Sequence, residues 1–313
     1  MSQTTAIVMV NFLSGKILTE QASRFTAEGY HTVITDNSGE YSGPGSVIAP
    51  GVNLGFGGGC NLAVTKLPES IEWVAFVNPD IAVDHGFVKK LTQFAEDFGL
   101  DCVAPTLATP QGLIEQGYHR PTVALEALHL RRLKRSLSAS SAPEEVSSVR
   151  TTKKTYQKLR ASGARFGSGA FLLVRRSAFD LVNGFDERFA LYAEDLDFWH
   201  RLEVAGAKLG FADHLVAHHA RGAGSPTPQP DRTLLRWAGI ELFVSLHKGK
   251  RWQIHRYLHN QGLRAFDASS DSKIRELVTD CWSAGYDPEE TASQIRAAFL
   301  QGVMAPTTLL DAP

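Results

Sequence analysis

Short apolar runs alternate with amphipathic segments along residues 5 to 219. Runs rich in β-branched and aromatic residues are typical of buried strands, and apolar residues that recur every three or four positions are typical of helices. The pattern predicts strands over residues 5–11, 31–35, 46–49, 73–77, 103–107, 169–174 and 215–219, and helices after Ser14 and over 60–66, 87–98 and 194–204. This alternation favours an α/β fold in which helices flank a mostly parallel sheet.

Two regions interrupt the alternation. Residues 119–165 contain clustered Lys and Arg residues and a serine-rich piece, which indicates a basic, partly flexible insertion. After Pro230 the pattern is helical throughout. Helices are predicted over 231–248, 250–265, 270–283 and 287–301. We therefore expect an α/β domain over residues 1–228 and a helical C-terminal region over residues 229–313.

The composition is that of a soluble globular protein. Of the 313 residues, 43% are hydrophobic and 21% are charged, and the formal net charge is −1. This balance argues against nucleic-acid binding by the molecule as a whole. The three cysteines, Cys60, Cys102 and Cys281, are widely spaced and favour a reducing compartment, and no apolar run approaches the length of a membrane span. We expect a cytoplasmic protein, and peripheral attachment to the inner face of the cell membrane stays open.

The densest chemical signal surrounds the predicted strand 73–77. A glycine-rich stretch at 53–59 would let backbone N–H groups approach an anion ahead of the next helix, but a sterically tight turn explains it equally well. Asp80 follows the strand through Asn78 and Pro79. A carboxylate at the carboxyl edge of such a sheet suits Mg²⁺ or Mn²⁺ bound to a diphosphate, whereas the alternative is an Asp that only stabilises a turn.

Two further clusters of titratable residues come later in the chain. Glu194, Asp195 and Asp197 lie at a predicted helix start, where acids often only complement the helix dipole. A carboxylate held there in a cleft would serve as a general base. His218 and His219 end a predicted strand, where one of them would complete a metal site or fill a purely structural position.

In this order, the elements resemble the family-2 glycosyltransferases of GT-A fold, and within them the bacterial rhamnosyltransferase-like branch. The resemblance covers residues 5–226 and assigns nothing to the helical region after residue 230. The motifs that carry it are Asp36 at a strand end, Asn53-Leu54-Gly55-Phe56-Gly57-Gly58-Gly59, Asn78-Pro79-Asp80, the stretches 167–176 and 184–189, Tyr192-Ala193-Glu194-Asp195, and His218. Each motif is common alone, but their combination is specific.

The resemblance implies an inverting, metal-dependent enzyme that uses a nucleotide-diphosphate sugar. Asp80 would hold Mg²⁺ or Mn²⁺ together with the donor diphosphate. Asn78 stands where the family's Asp-x-Asp motif has its first Asp, which leaves fewer charged ligands. His218 would complete the metal site, with His219 as the close alternative.

The resemblance also implies roles for the remaining site residues. Asp195 matches the catalytic base, and Glu194 is the second choice. The donor residues would be Val10, Asn11, Phe12 and Asp36 around the pyrimidine base, and Asn53, Gly57 and Asn61 along the ribose, diphosphate and sugar.

The expected reaction moves a sugar onto a hydroxyl of a glycan or polyprenyl-linked acceptor in envelope polysaccharide biosynthesis. L-rhamnose from dTDP-rhamnose is the favoured donor, and a UDP-hexose is the alternative. A nucleotidyltransferase would need a glycine-rich basic signature after the first strand, where residues 11–16 match only weakly. Retention of Asp80, Asp195 and His218 argues against a non-catalytic protein on the same scaffold.

The sequence is consistent with more than one role for each of two regions. The basic insertion is either a solvated loop or a contact to the acceptor or to anionic lipid headgroups. The C-terminal helices would form a homodimer interface, an acceptor platform or a membrane-facing surface.

Overall fold

The structure is a computed structural model, which describes residues 4–108, 114–115, 118–119, 165–220, 229–263 and 273–301. The basic insertion predicted over residues 119–165 lies outside the described residues, apart from its two ends. Within the described part of the chain, no helix is long and apolar enough to cross a membrane.

All seven predicted strands are present, but the last begins at Leu209 rather than at residue 215, and four two-residue strands were not predicted. The described strands are β1 (Thr5–Asn11), β2 (His31–Asp36), β3 (Ser46–Ile48), β4 (Trp73–Val77), β5 (Ile81–Ala82), β6 (Cys102–Ala108), β7 (Ile114–Glu115), β8 (Tyr118–His119), β9 (Arg165–Phe166), β10 (Phe171–Arg175) and β11 (Leu209–His219). β8 and β9 form a small sheet of their own, and the others form one sheet in the order β3-β2-β1-β4-β10-β6-β11-β5, with β7 beside β6.

The main sheet is mixed but mostly parallel. β1, β2, β3, β4, β6 and β11 run in one direction, while β5, β7 and β10 run in the other. β1 lies between β2 and β4, so the strands that follow β1 in the chain extend the sheet on both sides of it. In an open α/β sheet, the carboxyl ends of strands at such a switch point form a ligand crevice.

Helices follow the strands in the α/β part. In the C-terminal region, the described elements are all helical. The helices are α1 (Gly15–Ala27), α2 (Gly55–Val64), α3 (Phe87–Asp97), α4 (Arg176–Leu181), α5 (Glu194–Val204), α6 (Gln229–Lys248), α7 (Trp252–Leu263), α8 (Lys273–Ser283) and α9 (Pro288–Leu300). A short 3₁₀ turn, Gly249–Arg251, separates α6 from α7.

The central strands bury both of their faces. β4 is buried at all five positions. Its odd-numbered residues, such as Trp73, share a core with α1 and α3, whose contributions include Phe25 and Leu91. Its even-numbered Phe76 points to the other face and packs against Phe179 and Phe185. Because successive side chains of a strand point to opposite faces, helices on both sides are needed to cover this apolar run.

The glycine-rich stretch is part of a helix rather than a turn ahead of one. The sequence predicts the helix from residue 60, but α2 begins at Gly55 and contains Gly57, Gly58 and Gly59. A Cβ at Gly59 would lie 2.9 Å from Val10 Cγ1, and one at Gly57 would lie 3.0 Å from Phe185 Cβ. Glycine is a poor helix former, and here close packing against β1 and residue 185 requires it.

The chain divides into two compact units. Unit 1 comprises residues 1–118, 165–187 and 194–226, and unit 2 comprises 119–164, 188–193 and 227–313. Unit 2 has its own apolar core, in which α6, α8 and α9 contribute residues such as Trp237, Trp282 and Phe299. The predicted boundary near residue 228 stays a prediction.

Candidate active site

The carboxyl ends of β1 and β2 meet through Asn11 and Asp36. The two residues are paired in register, and Asn11 Nδ2 donates to Asp36 Oδ1 at 2.8 Å. Asp36 also accepts from the Ser38 amide at 3.1 Å, the Ser38 hydroxyl at 2.6 Å and the Tyr41 amide at 2.7 Å. Burial alone would raise the pKa of Asp36, but these hydrogen bonds outweigh it and lower the pKa. Asp36 is thus a buried, ionised carboxylate that organises the loop after β2.

Two asparagines bind backbone groups at the start of α2, whose N-cap residue is Leu54. Asn37 Oδ1 accepts from the Leu54 amide at 3.2 Å, and Asn53 Oδ1 accepts from the Gly55 amide at 3.0 Å. Asn37 Nδ2 also donates to the Gly55 carbonyl at 3.0 Å. The amides that follow in the first turn have no intrahelical acceptor and keep the positive end of the helix dipole. This helix start therefore suits an anion, although its own first amides are already used.

Asn61 joins α2 to the segment around residue 185. Its Oδ1 accepts from the Phe185 amide at 2.9 Å, and its Nδ2 donates to the Phe185 carbonyl at 2.9 Å and to Glu187 Oε1 at 3.2 Å. Gly184 has a φ of 69°, and a Cβ there would lie 2.5 Å from Asn61 Oδ1. The side-chain amide of Asn61 is thus fully engaged with the protein. The structure therefore supports a positioning role for Asn61, which was predicted to contact the donor.

Asp80 faces a histidine across two paired strands. β5 follows Asp80 directly and pairs with the end of β11. His219 Nε2 lies 3.4 Å from Asp80 Oδ1, and both side chains are largely shielded from solvent. His218, the first choice from sequence, is exposed in the adjacent strand position. Neighbouring strand residues face opposite sides, so only one of the two histidines can meet Asp80.

The predicted base is held by backbone amides. Asp195 is the second residue of α5, after Glu194. Its Oδ2 accepts from the Gly169 amide at 2.9 Å, and its Oδ1 accepts from the Leu196 amide at 2.8 Å. A Cβ at Gly169 would lie 3.2 Å from Asp195 Cβ and 3.1 Å from the ring of Phe56 in α2. Glycine at position 169 lets the acid, the loop and the glycine helix approach one another closely.

The same loop connects Asp195 to the Asn-Pro-Asp turn. Gly169 holds Asp195, and the carbonyl of the next residue, Ala170, accepts from the Asn78 amide at 2.9 Å. Ser168 Oγ accepts from the Ala170 amide at 3.2 Å and fixes the loop between the two contacts. Two motifs that are more than 100 residues apart in the sequence are therefore connected through residues 168–170.

Glu194 and Asp195 form an acid pair that has no cationic partner among the described residues. Glu194 is 7% exposed, and its Oε2 has no hydrogen-bond partner among the described residues. Burial, followed by the charge of Asp195, raises the pKa of Glu194 from 4.5 to about 8. Burial also raises the pKa of Asp195, but the Gly169 and Leu196 amides oppose that shift. At neutral pH the raised pKa of Glu194 favours its protonated form, while the two backbone amides favour the ionised form of Asp195.

Several residues that shape the site were not predicted from the sequence. Gly169 belongs to the quoted stretch 167–176, but no periodicity marks its contact with Asp195. Asp197, interpreted as a helix-start acid, is 1% exposed and binds Arg201 at 2.6 Å. Arg201 in turn donates to the carbonyls of Val182 and Gly184. The i,i+4 spacing of Asp197 and Arg201 was the available signal for this ion pair.

Metal-ligating residues are sparse in the part of the chain that the structure describes. No group of three or more His, Cys, Asp and Glu side chains is positioned there to hold a metal ion. Asp80 and His219 offer one carboxylate and one imidazole, which fits an ion whose remaining ligands come from a bound diphosphate.

The fold identifies the structural class to which the chain is similar. The mostly parallel sheet, with its switch point at β1 and helices on its faces, matches the GT-A fold. No protein-family model matches the chain. Two solved GT-A structures are similar over 96% of the chain at 11% identity. They are the mannosyltransferase PcManGT from Pyrobaculum calidifontis with GDP-Man and Mn²⁺ (86% of that chain, TM-score 0.50) and GalNAc-T7 with UDP, GalNAc and Mn²⁺ (58% of that chain, TM-score 0.51).

Curated sequence relatives carry rhamnosyltransferase names. The N-acetylglucosaminyl-diphospho-decaprenol L-rhamnosyltransferase of Mycobacterium tuberculosis is 30% identical over 204 residues, which cover 55% of this chain and 64% of the relative. Rhamnosyltransferase WbbL of Escherichia coli K12 is 28% identical over 185 residues, with the same coverage. The chain thus spans 64% of the length of these relatives. The comparisons confirm the predicted GT-A fold and the resemblance to the rhamnosyltransferase-like branch of family 2.

Proposed function

We propose that the protein is an inverting, metal-dependent glycosyltransferase that moves a sugar from a nucleotide-diphosphate donor to an acceptor hydroxyl in envelope glycan biosynthesis. One observation carries the proposal: residues 168–170 bind both Asp195 and the backbone of the Asn78-Pro79-Asp80 turn. A donor-holding carboxylate and a base must lie on either side of the reacting carbon, and this loop fixes the elements that bear them. The names of the curated relatives support the same reaction class.

Asp195 is the proposed base. Its ionised carboxylate removes the proton of the acceptor hydroxyl as that oxygen attacks the anomeric carbon and the bond to the diphosphate breaks. Glu194 carries the proton of the acid pair, so the pair can hold one negative charge in a buried setting. A single displacement of this kind inverts the anomeric centre, and no glycosyl-enzyme intermediate forms.

Asp80 and His219 are the proposed metal ligands, and His219 replaces His218 because only His219 lies beside Asp80. These two residues would hold Mg²⁺ or Mn²⁺, and the ion would supply positive charge that stabilises the leaving diphosphate. Asn78 forms the turn that carries Asp80, because its carbonyl accepts from the Ile81 amide at 3.1 Å. Its amide contact to Ala170 aligns that turn with the base.

The donor is proposed to enter at the carboxyl ends of β1 and β2. Val10, Asn11 and Phe12 line that edge, and Asp36 holds Asn11 and the following loop in place rather than lying exposed. The amide end of α2, with Asn53 and Gly57, suits the diphosphate. dTDP-rhamnose is the favoured donor, since the curated relatives are named rhamnosyltransferases, and a UDP-hexose is the alternative.

The acceptor is proposed to be a glycan or a polyprenyl-diphosphate-linked sugar. The name of the Mycobacterium tuberculosis relative includes a decaprenol-linked acceptor, which supports this substrate class. We propose a cytoplasmic protein that contacts the inner face of the cell membrane, with the basic insertion at 119–165 as one contact. We also propose a homodimer through the C-terminal helices.

Thermal-shift measurements test the donor site first. A ligand that binds only the native state raises the melting temperature, so dTDP, UDP, GDP and their sugars are compared with and without Mn²⁺ or Mg²⁺. We expect a metal-dependent shift with dTDP-rhamnose that is lost in Asp80→Ala and His219→Ala. His218→Ala is the matched control and should keep the shift. The absence of any metal-dependent shift would favour a non-catalytic protein on this scaffold.

A further inference from the structure

The backbone directly before the acid pair is strained. Tyr192 has a φ of 68° and Ala193 has a φ of 69°, which place both residues in the left-handed region. Residues other than glycine rarely adopt this conformation, because it brings their Cβ close to the following carbonyl oxygen. Of the four described non-glycine residues with a positive φ, these two are the adjacent pair, and Glu194 and Asp195 follow them directly. Such conformations persist only where the surrounding structure holds them.

A glycine of α6 leaves room for this strained pair. A Cβ at Gly239 would lie 2.5 Å from the Tyr192 carbonyl oxygen and 3.1 Å from Ala193 Cβ. Even a methyl group does not fit at the first of these distances, so the helix backbone packs directly against the strained pair. Glycine is a poor helix former, and Gly239 lies in the middle of a helix of 20 residues. Close packing against the strained pair therefore accounts for the glycine.

The segment that contains the strained pair is anchored in unit 2. Residues 188–193 belong to that unit. Ala190 is part of its apolar core, and Leu191 and Tyr192 pack against the same core, to which α6 contributes. The next residue, Glu194, belongs to unit 1. The chain thus passes from one unit to the other at the peptide bond that precedes the acid pair.

The direction of the backbone at this bond decides where the Asp195 carboxylate lies. Asp195 is the second residue after the bond, and its carboxylate accepts from the Gly169 amide at 2.9 Å and from the Leu196 amide at 2.8 Å. Hydrogen bonds weaken steeply when their length or angle changes. A rotation of the backbone at Ala193 would therefore move the carboxylate away from these donors.

We propose that Gly239, Tyr192 and Ala193 are positioning residues for Asp195, because α6 holds the left-handed pair and the pair fixes the direction in which the chain enters α5. The inference rests on the proposed function, in which Asp195 is the base. It gives the C-terminal helices a part in sugar transfer that needs neither membrane contact nor dimerisation. A displacement of about 1 Å at a reacting group costs on the order of 100-fold in rate, so a fixed entry into α5 matters for catalysis.

Amide hydrogen exchange measured by NMR tests the positioning without any substrate. The added methyl group of Gly239→Ala must displace the Tyr192 carbonyl group. The Gly169 and Leu196 amides should then exchange about tenfold faster, while the amide of Phe76 in β4 keeps its rate. Glu241→Gln changes a buried residue of the same helix and is the matched control. It should leave all three rates unchanged.

Transfer kinetics test the consequence for the reaction. With dTDP-rhamnose as donor, Gly239→Ala should lower kcat between about tenfold and 100-fold and leave the KM for the donor unchanged. Ala193→Gly is the second variant, because glycine adopts a φ of 69° without strain and the protein should fold normally. It gives the backbone more freedom ahead of α5, so it should also lower kcat and speed up exchange of the Gly169 and Leu196 amides.

The outcomes separate this proposal from the proposed reaction. Unchanged exchange of the Gly169 and Leu196 amides in both variants would overturn the positioning role. Faster exchange at Phe76 as well would also overturn it, because the effect would then be a general loosening of the fold. Faster exchange at the two amides alone, in a protein whose wild type transfers no sugar or whose variants keep the wild-type kcat, would support the positioning role. That result would count against Asp195 as the base.

Discussion

The two units each bury a glutamate, and they treat it in opposite ways. In unit 2, Glu241 is 0% exposed and contacts Arg256 Nε at 2.8 Å and His259 Nδ1 at 2.7 Å. In unit 1, Glu194 is 7% exposed, and its Oε2 has no hydrogen-bond partner among the described residues. Its nearest charged neighbour in the chain is a second acid, Asp195.

The difference fits a structural role for Glu241 and the catalytic role that we propose for the acid pair. A buried charge needs a partner, and Arg256 also contacts the Tyr286 carbonyl, so the Glu241 cluster joins α6, α7 and the loop after α8. Among the described residues the acid pair has no such cation; Asp195 accepts only from backbone amides, and burial raises the pKa of both carboxyl groups. Perturbed, uncompensated carboxylates at the edge of a sheet are typical of sites that move protons.

The largest expected effect is on catalysis. Asp195→Asn should lower kcat by about 10³-fold, within the range for loss of a general base, and should leave donor binding nearly unchanged. Steady-state kinetics with dTDP-rhamnose, together with a thermal shift for the donor, measure both quantities.

The control for this variant lies in unit 2. Glu241→Gln changes a glutamate that is more deeply buried, yet kcat per folded molecule should stay close to that of the wild type. Full turnover by Asp195→Asn would contradict the assignment and make Glu194 the candidate base.

The next largest effect concerns stability, and it is expected in unit 2 rather than in unit 1. Arg256→Met leaves Glu241 buried with one partner fewer, and breaking a buried ion pair costs about 3–5 kcal/mol of the free energy of unfolding. Urea denaturation, followed by circular dichroism, measures this change in the free energy of unfolding. Arg176→Met, which breaks the more exposed pair with Asp180, should cost less than about 1 kcal/mol. Equal losses in both variants would mean that the Glu241 cluster does not stabilise unit 2.

Local patterns predicted the elements well and their junctions poorly. Strands 5–11 and 73–77 and helix 194–204 were predicted with the observed bounds, because their apolar periods are regular. The start of α2 was wrong, since glycine disfavours helices locally and only packing against Val10 explains it there. Tertiary contacts override intrinsic preference at that point.

The contacts that build the site were beyond local patterns. The Gly169–Asp195 hydrogen bond joins residues 26 positions apart on different elements. The choice between His218 and His219 depends on strand register, and a shift of one residue exchanges the two faces. The types of residue in the site were predictable from sequence, and their partners were not.

The third effect is on the free energy of unfolding, which should depend on pH because of the Glu194–Asp195 pair. The pKa of Glu194 in the folded protein, about 8, lies above its ordinary value of 4.5. The folded state therefore binds this proton more tightly than the unfolded state between those two values. Stability should fall as pH rises from about 4.5 to 8, by at most about 1.4 kcal/mol per pH unit, and level off above that range.

Melting temperature measured against pH tests this directly. Glu194→Gln removes the titration and should flatten the curve between pH 5 and 8, so the variant should be more stable than the wild type at pH 8. Glu241→Gln should leave the slope of the curve in place. A slope that persists in Glu194→Gln would have to come from another group.

The smallest effect tests whether the loop at 168–170 positions the base. Gly169→Ala adds a Cβ that would lie 3.2 Å from Asp195 Cβ, so the acid must move by a few tenths of an ångström. Small displacements of a reacting group are costly, and we expect kcat to fall about tenfold while donor affinity holds. Gly210→Ala is the control, because its Cβ would meet only the end of the flexible Leu100 side chain at 2.5 Å. If both variants lose activity equally, the loss reflects general packing, and residues 168–170 have no special part in aligning Asp195.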